Sequence, residues 1–216
     1  MKVRIEAIAG LPAIIEGPRR ARRTLVLAHG AGAGMEHDFM QRIASGVAAD
    51  GIRVVRFEFP YMAARREGRR PGPDREAVLR SSWTEVIEAL GKPERTVIGG
   101  KSMGGRYASM VADGTGVAGV VCLGYPFHPP GRSERVRTAH LEGQRTPTLI
   151  LQGERDTMGT REDVAGYRLS SAVRVQWLPD GDHSLKPRKA SGYNYDDHLD
   201  TAVQATIAFV REQVSS

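Results

Sequence analysis

A serine between two glycines is the strongest chemical signal in the sequence. In 96–110, which reads TVIGGKSMGGRYASM, an apolar run leads into Gly100, and Ser102 and Gly104 follow before a helix-like segment. The pattern Gly-x-Ser-x-Gly between a strand and a helix is typical of a nucleophile elbow, a sharp turn that presents a nucleophilic serine. We expect glycine at 100 and 104 because a Cβ there would clash with the neighbouring strand or helix. Ser102 is therefore our candidate nucleophile.

The candidate partners of this serine lie after two later strand-like runs. A serine hydroxyl needs a histidine to take its proton and a carboxylate to orient that histidine. Enzymes with such an elbow carry these groups in the chain order Ser, Asp or Glu, His. Asp156 ends the run TPTLILQGERD and is the candidate acid, with Glu154 as the alternative; His183 ends AVRVQWLPDGDH and is the candidate base. We interpret Asp180 and Asp182 as turn residues.

The other histidines have local contexts that favour different roles. His29 directly follows a strand-like run, and we expect it to hold the loop that comes after it. His37 and His198 lie in helical stretches and are interpreted as surface or packing residues. For His128 and His140, which share one loop segment, a substrate-site role and a surface role remain open.

An oxyanion intermediate needs backbone N–H donors, and two segments can supply them. One donor is expected from Met103, which follows the nucleophile, and the other from the loop HGAGAGM after the first buried run. Ala31 is our first choice for that second donor and Gly32 the next. The same loop fails the dinucleotide-binding fingerprint, because Met35 stands where a glycine is required. The Lys-Ser pair before Met103 likewise fails the phosphate-loop motif, because Arg95 stands at its first glycine.

The elements that must place these residues alternate along the chain. The sequence predicts a hairpin at 2–9 and 11–17 with its turn at 10–12, strands at 24–30, 52–60, 95–100, 116–126, 146–156 and 172–179, and helices at 36–50, 74–91, 102–113, 161–169 and 197–213. We expect Asp74 to begin the second helix. Such alternation indicates an α/β fold, a mostly parallel sheet with helices on both faces, in one domain spanning 1–216. Ligands of such sheets bind at the carboxyl ends of the strands, where the candidate residues fall.

Composition excludes some classes of function. The chain has 216 residues, one cysteine and a formal net charge of +6. Arginines cluster at 19–23 and 65–70, but neither cluster interleaves aromatic side chains, so we interpret both as solvated loops and do not expect nucleic acid as a partner. No stretch is long and apolar enough for a membrane span, and no signal peptide is evident, which favours the cytoplasm. No Cys, His and acid cluster has metal spacing, so we predict no metal.

Five segments together resemble the α/β-hydrolase superfamily, in particular its small, capless branch that is similar to dienelactone hydrolases. They are LVLAHGAGAGMEHDFM, GGKSMGGR, LGYPFHPPG, TPTLILQGERDTMG and GDHSLK. The resemblance implies a central, mostly parallel sheet of about eight strands, a Ser-Asp-His triad and no cofactor. Dienelactone hydrolases use a cysteine nucleophile, so Ser102 does not imply their substrate. The segment 124–147 is too short for the helical lid that many members insert there, so no lid domain is expected.

These observations lead to a serine hydrolase acting on an ester or related acyl bond of a small soluble substrate. The alternative is a catalytically silent binding or scaffold protein on the same fold, since fold does not fix function. Lys101 and Arg106 would favour an acidic substrate or else face solvent. The sequence gives no indication of oligomeric state. Four residues after strand ends are candidates for a substrate pocket, with loop packing as the alternative: Tyr61, Tyr125, Phe127 and His128.

Overall fold

The computed structural model describes residues 3–214 and builds them around one eight-stranded sheet. Its strands are β1 Arg4–Ile8, β2 Leu11–Glu16, β3 Thr24–Ala28, β4 Arg53–Phe57, β5 Thr96–Lys101, β6 Gly119–Leu123, β7 Thr148–Gly153 and β8 Val173–Leu178. The strand order is β1-β2-β4-β3-β5-β6-β7-β8. β1 and β2 pair antiparallel, as do β2 and β4, and every later pairing is parallel. The predicted α/β architecture is confirmed.

Within residues 3–214, six α-helices connect and cover the strands, and each side of the sheet has its own apolar core. They are α1 Asp38–Ala49, α2 Pro60–Arg66, α3 Glu76–Leu90, α4 Met103–Thr115, α5 Arg161–Ala165 and α6 Tyr195–Gln213. Alternate residues of a strand point to opposite faces. Val26 therefore joins the core that contains Trp83 of α3, whereas its neighbours Leu25 and Leu27 pack with residues of α1 and α6. The segment 124–147 contains no helix, so no lid covers the sheet at this point.

Three local expectations differ from the structure. The turn between β1 and β2 lies at Ala9 and Gly10, both with positive φ, because residue 11 already pairs with Ile8. The sequence predicts no helix at 60–66, because Pro60 is expected to close the strand before it. Pro60 stands instead in the first turn of α2, where proline costs no hydrogen bond. Asp74 does not cap α3 but accepts a hydrogen bond from the Tyr61 amide at 2.9 Å.

Two glycines of α4 have opposite surroundings and give a matched test of packing. A Cβ at Gly104 would overlap the carbonyl oxygen of Ala28 in β3, whereas one at Gly114 would meet nothing within 4 Å. We expect Gly104→Ala to lower the free energy of unfolding by roughly 2 kcal/mol or more, because α4 must move off β3. Gly114→Ala should raise it by about 0.5–1 kcal/mol through helix propensity. Urea unfolding measures both, and equal effects would contradict the packing described here.

Candidate active site

Ser102 lies at the apex of the turn that joins β5 to α4. Its backbone has φ 51° and ψ −113°, an uncommon conformation for a residue with a side chain. The amide of Ser102 donates to the carbonyl of Leu123 at 3.1 Å, and its own carbonyl accepts from the Arg106 amide at 3.0 Å. These bonds hold the strained turn. The hydroxyl makes no cap bond to the helix, which leaves it available for other partners.

The structure brings the three predicted triad side chains together in one hydrogen-bonded chain. His183 Nε2 lies 2.8 Å from Ser102 Oγ, and His183 Nδ1 lies 2.7 Å from Asp156 Oδ2. The Asp156 carboxylate is fully buried, while the imidazole of His183 remains partly exposed. With Nδ1 donating to the carboxylate, Nε2 is free to accept the serine proton.

Gln152 fixes the orientation of Asp156 and was not recognised in the sequence. Its buried side-chain amide donates to Asp156 Oδ2 at 2.8 Å and to the Gly159 carbonyl at 3.1 Å. The same group bonds the backbone N–H and C=O of Tyr125 at 2.7 and 3.2 Å. The other oxygen of Asp156 accepts from the Met158 amide at 2.9 Å. The buried carboxylate is therefore surrounded by donors, as an ionised group in such a place requires.

The other acids of this region have structural roles. Glu154, the alternative triad acid, pairs with Arg161 at 2.7 Å and accepts from the Asp180 amide at 3.2 Å. The Asp180 carboxylate accepts hydrogen bonds from the side chain and from the backbone amide of Arg188, and these bonds lower the pKa of the Asp180 carboxyl to about 2. Asp182 accepts the amides of residues 184 and 186 at 2.7 and 3.0 Å, which is the geometry of a turn residue.

Two carbonyl groups of the loop after β3 are held by one buried hydroxyl, which orients the peptide units of this loop. The buried Tyr61 hydroxyl lies 3.1 Å from the carbonyl oxygen of Gly30 and 3.1 Å from that of Ala31. In a trans peptide, N–H and C=O point in opposite directions, so the amides of Ala31 and Gly32 point away from Tyr61. Met103 begins α4, where an amide has no acceptor inside the helix.

His29 also holds the loop after β3, as its position directly after a strand-like run predicts. Its Nε2 accepts from the Phe59 amide at 3.1 Å, so Nδ1 carries the proton that it donates to the Gly30 carbonyl at 2.7 Å. Burial lowers the pKa of His29 and favours this neutral form.

A cavity of about 320 Å³ opens beside Ser102 and His183. Most residues of its wall are not among the candidates that the sequence provides; Phe39 and Met40, for example, lie in the predicted helix at 36–50 and follow its spacing. His37, expected to be a surface or packing residue, is exposed; its Nδ1 accepts a hydrogen bond from the Phe39 amide at 3.3 Å, which caps α1, and the residue lines the cavity. The lining residues are Gly30, Ala31, Gly32, Ala33, His37, Phe39, Met40, Lys101, Ser102, Met158, His183 and Ser184.

The four residues proposed for a substrate pocket do not line this cavity, and their surroundings favour the alternative of loop packing. Tyr61, Tyr125, Phe127 and His128 are all buried, each at most 3% exposed. Tyr61 lies under the loop after β3. Tyr125 and Phe127 pack on each other with their ring centroids 4.8 Å apart, and His128 bonds the carbonyl of the following residue at 3.0 Å. Tyr61, Tyr125 and Phe127 belong to the same apolar core as Trp83, which explains why these aromatic side chains turn inward after the strand ends.

The remaining histidines are packing residues. His140 Nε2 lies 2.9 Å from the Ser109 hydroxyl, and burial lowers the pKa of His140 to about 4. It does not line the cavity. His198 in α6 donates from Nδ1 to the carbonyl of Leu185 at 2.8 Å, which ties the loop that carries His183 to α6.

Comparison with known proteins identifies the family. A sequence model described as "Alpha/beta hydrolase domain" matches residues 21–211, most of the chain.

The chain belongs to the alpha/beta hydrolase domain family. Two curated relatives carry the name "Putative protein-lysine deacylase ABHD14B". The Homo sapiens protein is 27% identical over 147 residues, 67% of each chain, and the Pongo abelii protein is 29% identical over 115 residues, 52% of each. The match to the latter thus spans about half of its length.

Solved structures of alpha/beta hydrolases share the fold over the whole chain. The Xanthomonas campestris protein XC6422, described as an α/β serine hydrolase without lid, superposes with a TM-score of 0.70 at 17% identity, covering 100% of this chain and 97% of that one. Dienelactone hydrolase from Anabaena variabilis gives a TM-score of 0.70 at 18% identity, with 100% of both chains covered. These similarities establish the capless α/β-hydrolase fold predicted from the sequence motifs.

The two arginine clusters differ in their surroundings. In the second cluster, Arg66 pairs with Glu58 at 2.6 Å and Glu36 at 2.7 Å, and Arg65 donates to the Pro71 carbonyl at 3.0 and 2.8 Å. Residues of the first cluster line a concave surface where β3 and β5 begin, at the opposite end of these strands from Ser102. The expectation that nucleic acid is no partner stays a prediction. Within residues 3–214, no helix is long and apolar enough to cross a membrane.

The contact between Gln152 and Asp156 predicts a pH-dependent defect in Gln152→Glu. The new carboxyl would face Asp156, so one of the two must stay protonated, and the folded state raises the pKa of the pair above unfolded values. The carboxyl pair therefore does not destabilise the variant below about pH 4, where both groups are protonated in the folded and unfolded states, and it destabilises the variant increasingly as the pH rises. Urea unfolding measures the free energy of unfolding, and we expect that of Gln152→Glu to fall below the wild-type value by about 2 kcal/mol more at pH 8 than at pH 4.5.

The matched control is Gln176→Glu, which places a carboxyl on the partly exposed strand β8. The difference in free energy of unfolding between Gln176→Glu and wild type should change little over the same pH range. Parallel profiles for the two variants would contradict the arrangement around Asp156.

Proposed function

We propose that this protein is a serine hydrolase that cleaves an ester or related acyl bond of a small substrate through an acyl-enzyme at Ser102. The observation that carries the proposal is the hydrogen-bonded chain from Ser102 Oγ through His183 to Asp156, with links of 2.8 and 2.7 Å. The family supports hydrolase chemistry in general terms. The oriented base, the strained serine and the proposed amide donors favour acyl transfer as the type of reaction.

Acylation follows from the positions of these groups. Ser102 Oγ attacks the acyl carbonyl carbon while His183 Nε2 takes the serine proton. Asp156, which accepts from Nδ1, stabilises the imidazolium that results. The carbonyl oxygen becomes an oxyanion, for which the amides of Met103 and Ala31, or Gly32, are the proposed donors. The intermediate collapses when the bond to the leaving group breaks and His183 returns its proton to that group.

Deacylation repeats the cycle with water. His183 takes a proton from a water molecule as the water oxygen attacks the acyl carbon, and the second tetrahedral intermediate expels Ser102 Oγ. The proton on His183 returns to the serine, and the free acid leaves. No metal or cofactor enters this proposed cycle.

Cavity size and relatives bear on the substrate. A cavity of about 320 Å³, beside a segment 124–147 without a lid helix, suits a short acyl group better than a long lipid chain. The curated relatives are named for deacylation of protein lysine, which is also an acyl cleavage. We therefore include amides and thioesters with esters among the candidate bonds.

Removing the nucleophile tests the proposal. Ser102→Ala should lower the rate of hydrolysis of a short p-nitrophenyl ester by about 10⁴-fold or more, because the attacking oxygen is gone. Ser81→Ala, at an exposed position of α3, is the matched control and should retain the wild-type rate. Circular dichroism checks that both variants fold. A folded Ser102→Ala variant as active as the control would refute the assignment.

Tyr61→Phe tests the loop that presents the proposed oxyanion donors. Without the hydroxyl, the Ala31 carbonyl loses the group that holds it and the Gly30 carbonyl keeps only the bond from His29, so kcat should fall about tenfold with little change in KM. Tyr193→Phe is the control, since its ring is 51% exposed. Steady-state kinetics on the same ester measure both variants, and an unchanged kcat in Tyr61→Phe would contradict this role for Tyr61.

A further inference from the structure

The cavity beside Ser102 has an amine in its wall that is charged at neutral pH. Among the described residues that line it, Lys101 is the single lysine or arginine, and no aspartate or glutamate lines it. The remaining wall consists of small, apolar or neutral polar side chains and two histidines. A charged amine in a mostly neutral, partly enclosed cavity acts through a lower effective dielectric than it would in bulk water.

The Lys101 ammonium is incompletely paired within residues 3–214. It donates to the carbonyl oxygen of His183 and lies 5.5 Å from the centre of the Phe39 ring. An ammonium has three N–H donors, and no second acceptor is present among the described residues. The nearest carboxylates are engaged elsewhere: Asp156 with His183 and Gln152, and Asp182 with the amides of residues 184 and 186. Two donors are therefore available.

The amine lies close to the reacting groups. Lys101 directly precedes Ser102, and its Cγ would lie 3.6 Å from a Cβ built on Gly30 in the loop after β3. A Cβ built on Gly124 would lie 3.0 Å from Lys101 Nζ and 3.4 Å from His183 Nδ1, so the ammonium lies close to the imidazole, on the side that faces Asp156. Lys101, Ser102 and His183 line the same cavity, so a substrate whose carbonyl is at Ser102 occupies the cavity that the Lys101 side chain borders.

We propose that Lys101 is a specificity-determining residue that selects substrates with a carboxylate near the scissile acyl bond. The two oxygens of a carboxylate match the two available N–H donors in a charge-assisted hydrogen bond. This inference rests on the proposed hydrolase function and adds the class of substrate, a small half-ester or another acyl compound that carries an acid group.

The ionisation of Lys101 makes this selectivity dependent on pH. Burial lowers the pKa of Lys101 to about 8, against the opposing effect of Asp156 and Asp182. The other titratable groups that face this end of the cavity are His37 and His183. Below about pH 8 the amine is charged and binds a carboxylate; above it the charge, and with it the preference, is lost.

Matched substrate pairs test the proposal. Monoethyl succinate is compared with ethyl 4-oxopentanoate, in which a methyl ketone replaces the carboxylate. Acetoxyacetate and acetoxyacetone form a second pair with the acid on the alcohol side. For wild type at pH 6.5, kcat/KM should favour the acid by roughly tenfold in at least one pair, and the two pairs show which side of the ester enters the cavity. Because both members of a pair use the same triad, their ratio cancels its pH dependence.

The variants and the pH range decide between outcomes. Lys101→Met should bring the ratio near unity, whereas Lys92→Met, which removes an exposed lysine just before β5, should keep it. In wild type the ratio should fall toward unity between pH 6.5 and 9.5, a result that stands even if Lys101→Met fails to fold. A ratio near unity at pH 6.5, or one that Lys101→Met preserves, overturns the inference alone. If the protein hydrolyses neither the acidic nor the neutral esters, the proposed function is overturned, and the inference with it.

Discussion

The arrangement of the site depends on how closely β5 and α4 approach β3. The carbonyl oxygen of Ala28 occupies the space that a Cβ would need at Gly100 and at Gly104. Because both positions are glycine, the chain can leave β5, turn sharply and start α4 directly above the sheet. The positive φ of Ser102 is a consequence of this close packing. It directs the hydroxyl to the carboxyl ends of the strands, where the loops that carry Asp156 and His183 also end.

The loops after β3, β7 and β8 are each held by a buried polar group rather than by regular secondary structure. Tyr61 holds the loop after β3, Gln152 the loop after β7, and His198 the loop after β8. The interior leaves such groups few alternative partners, so each hydrogen bond fixes both the position and the direction of a loop. Lys101 both holds a loop and lines the cavity, since its amine donates to the backbone carbonyl of His183 and its side chain forms part of the cavity wall.

The sequence predicts what depends on chain order and spacing. Ser102, Asp156 and His183 could be located because each follows a strand, and parallel strands bring their carboxyl ends to one edge. It does not predict which way a side chain turns after a strand end. Tyr61 and Tyr125 point into the core instead of a pocket. Gln152 escaped notice because it stands in an apolar run, where only the three-dimensional contact with Asp156 reveals its role. Residue 60 was misjudged because proline can begin a helix as well as end a strand.

The central claim is that Ser102 is an activated nucleophile, and covalent capture tests it most directly. A fluorophosphonate probe transfers its phosphonyl group to an activated serine oxygen with loss of fluoride, and mass spectrometry after proteolysis locates the adduct. We expect one adduct per chain, on the peptide that contains Ser102, and none after Ser102→Ala. A folded wild-type protein that stays unlabelled, or is labelled only at another residue, would contradict the account and favour a catalytically silent protein on a hydrolase fold.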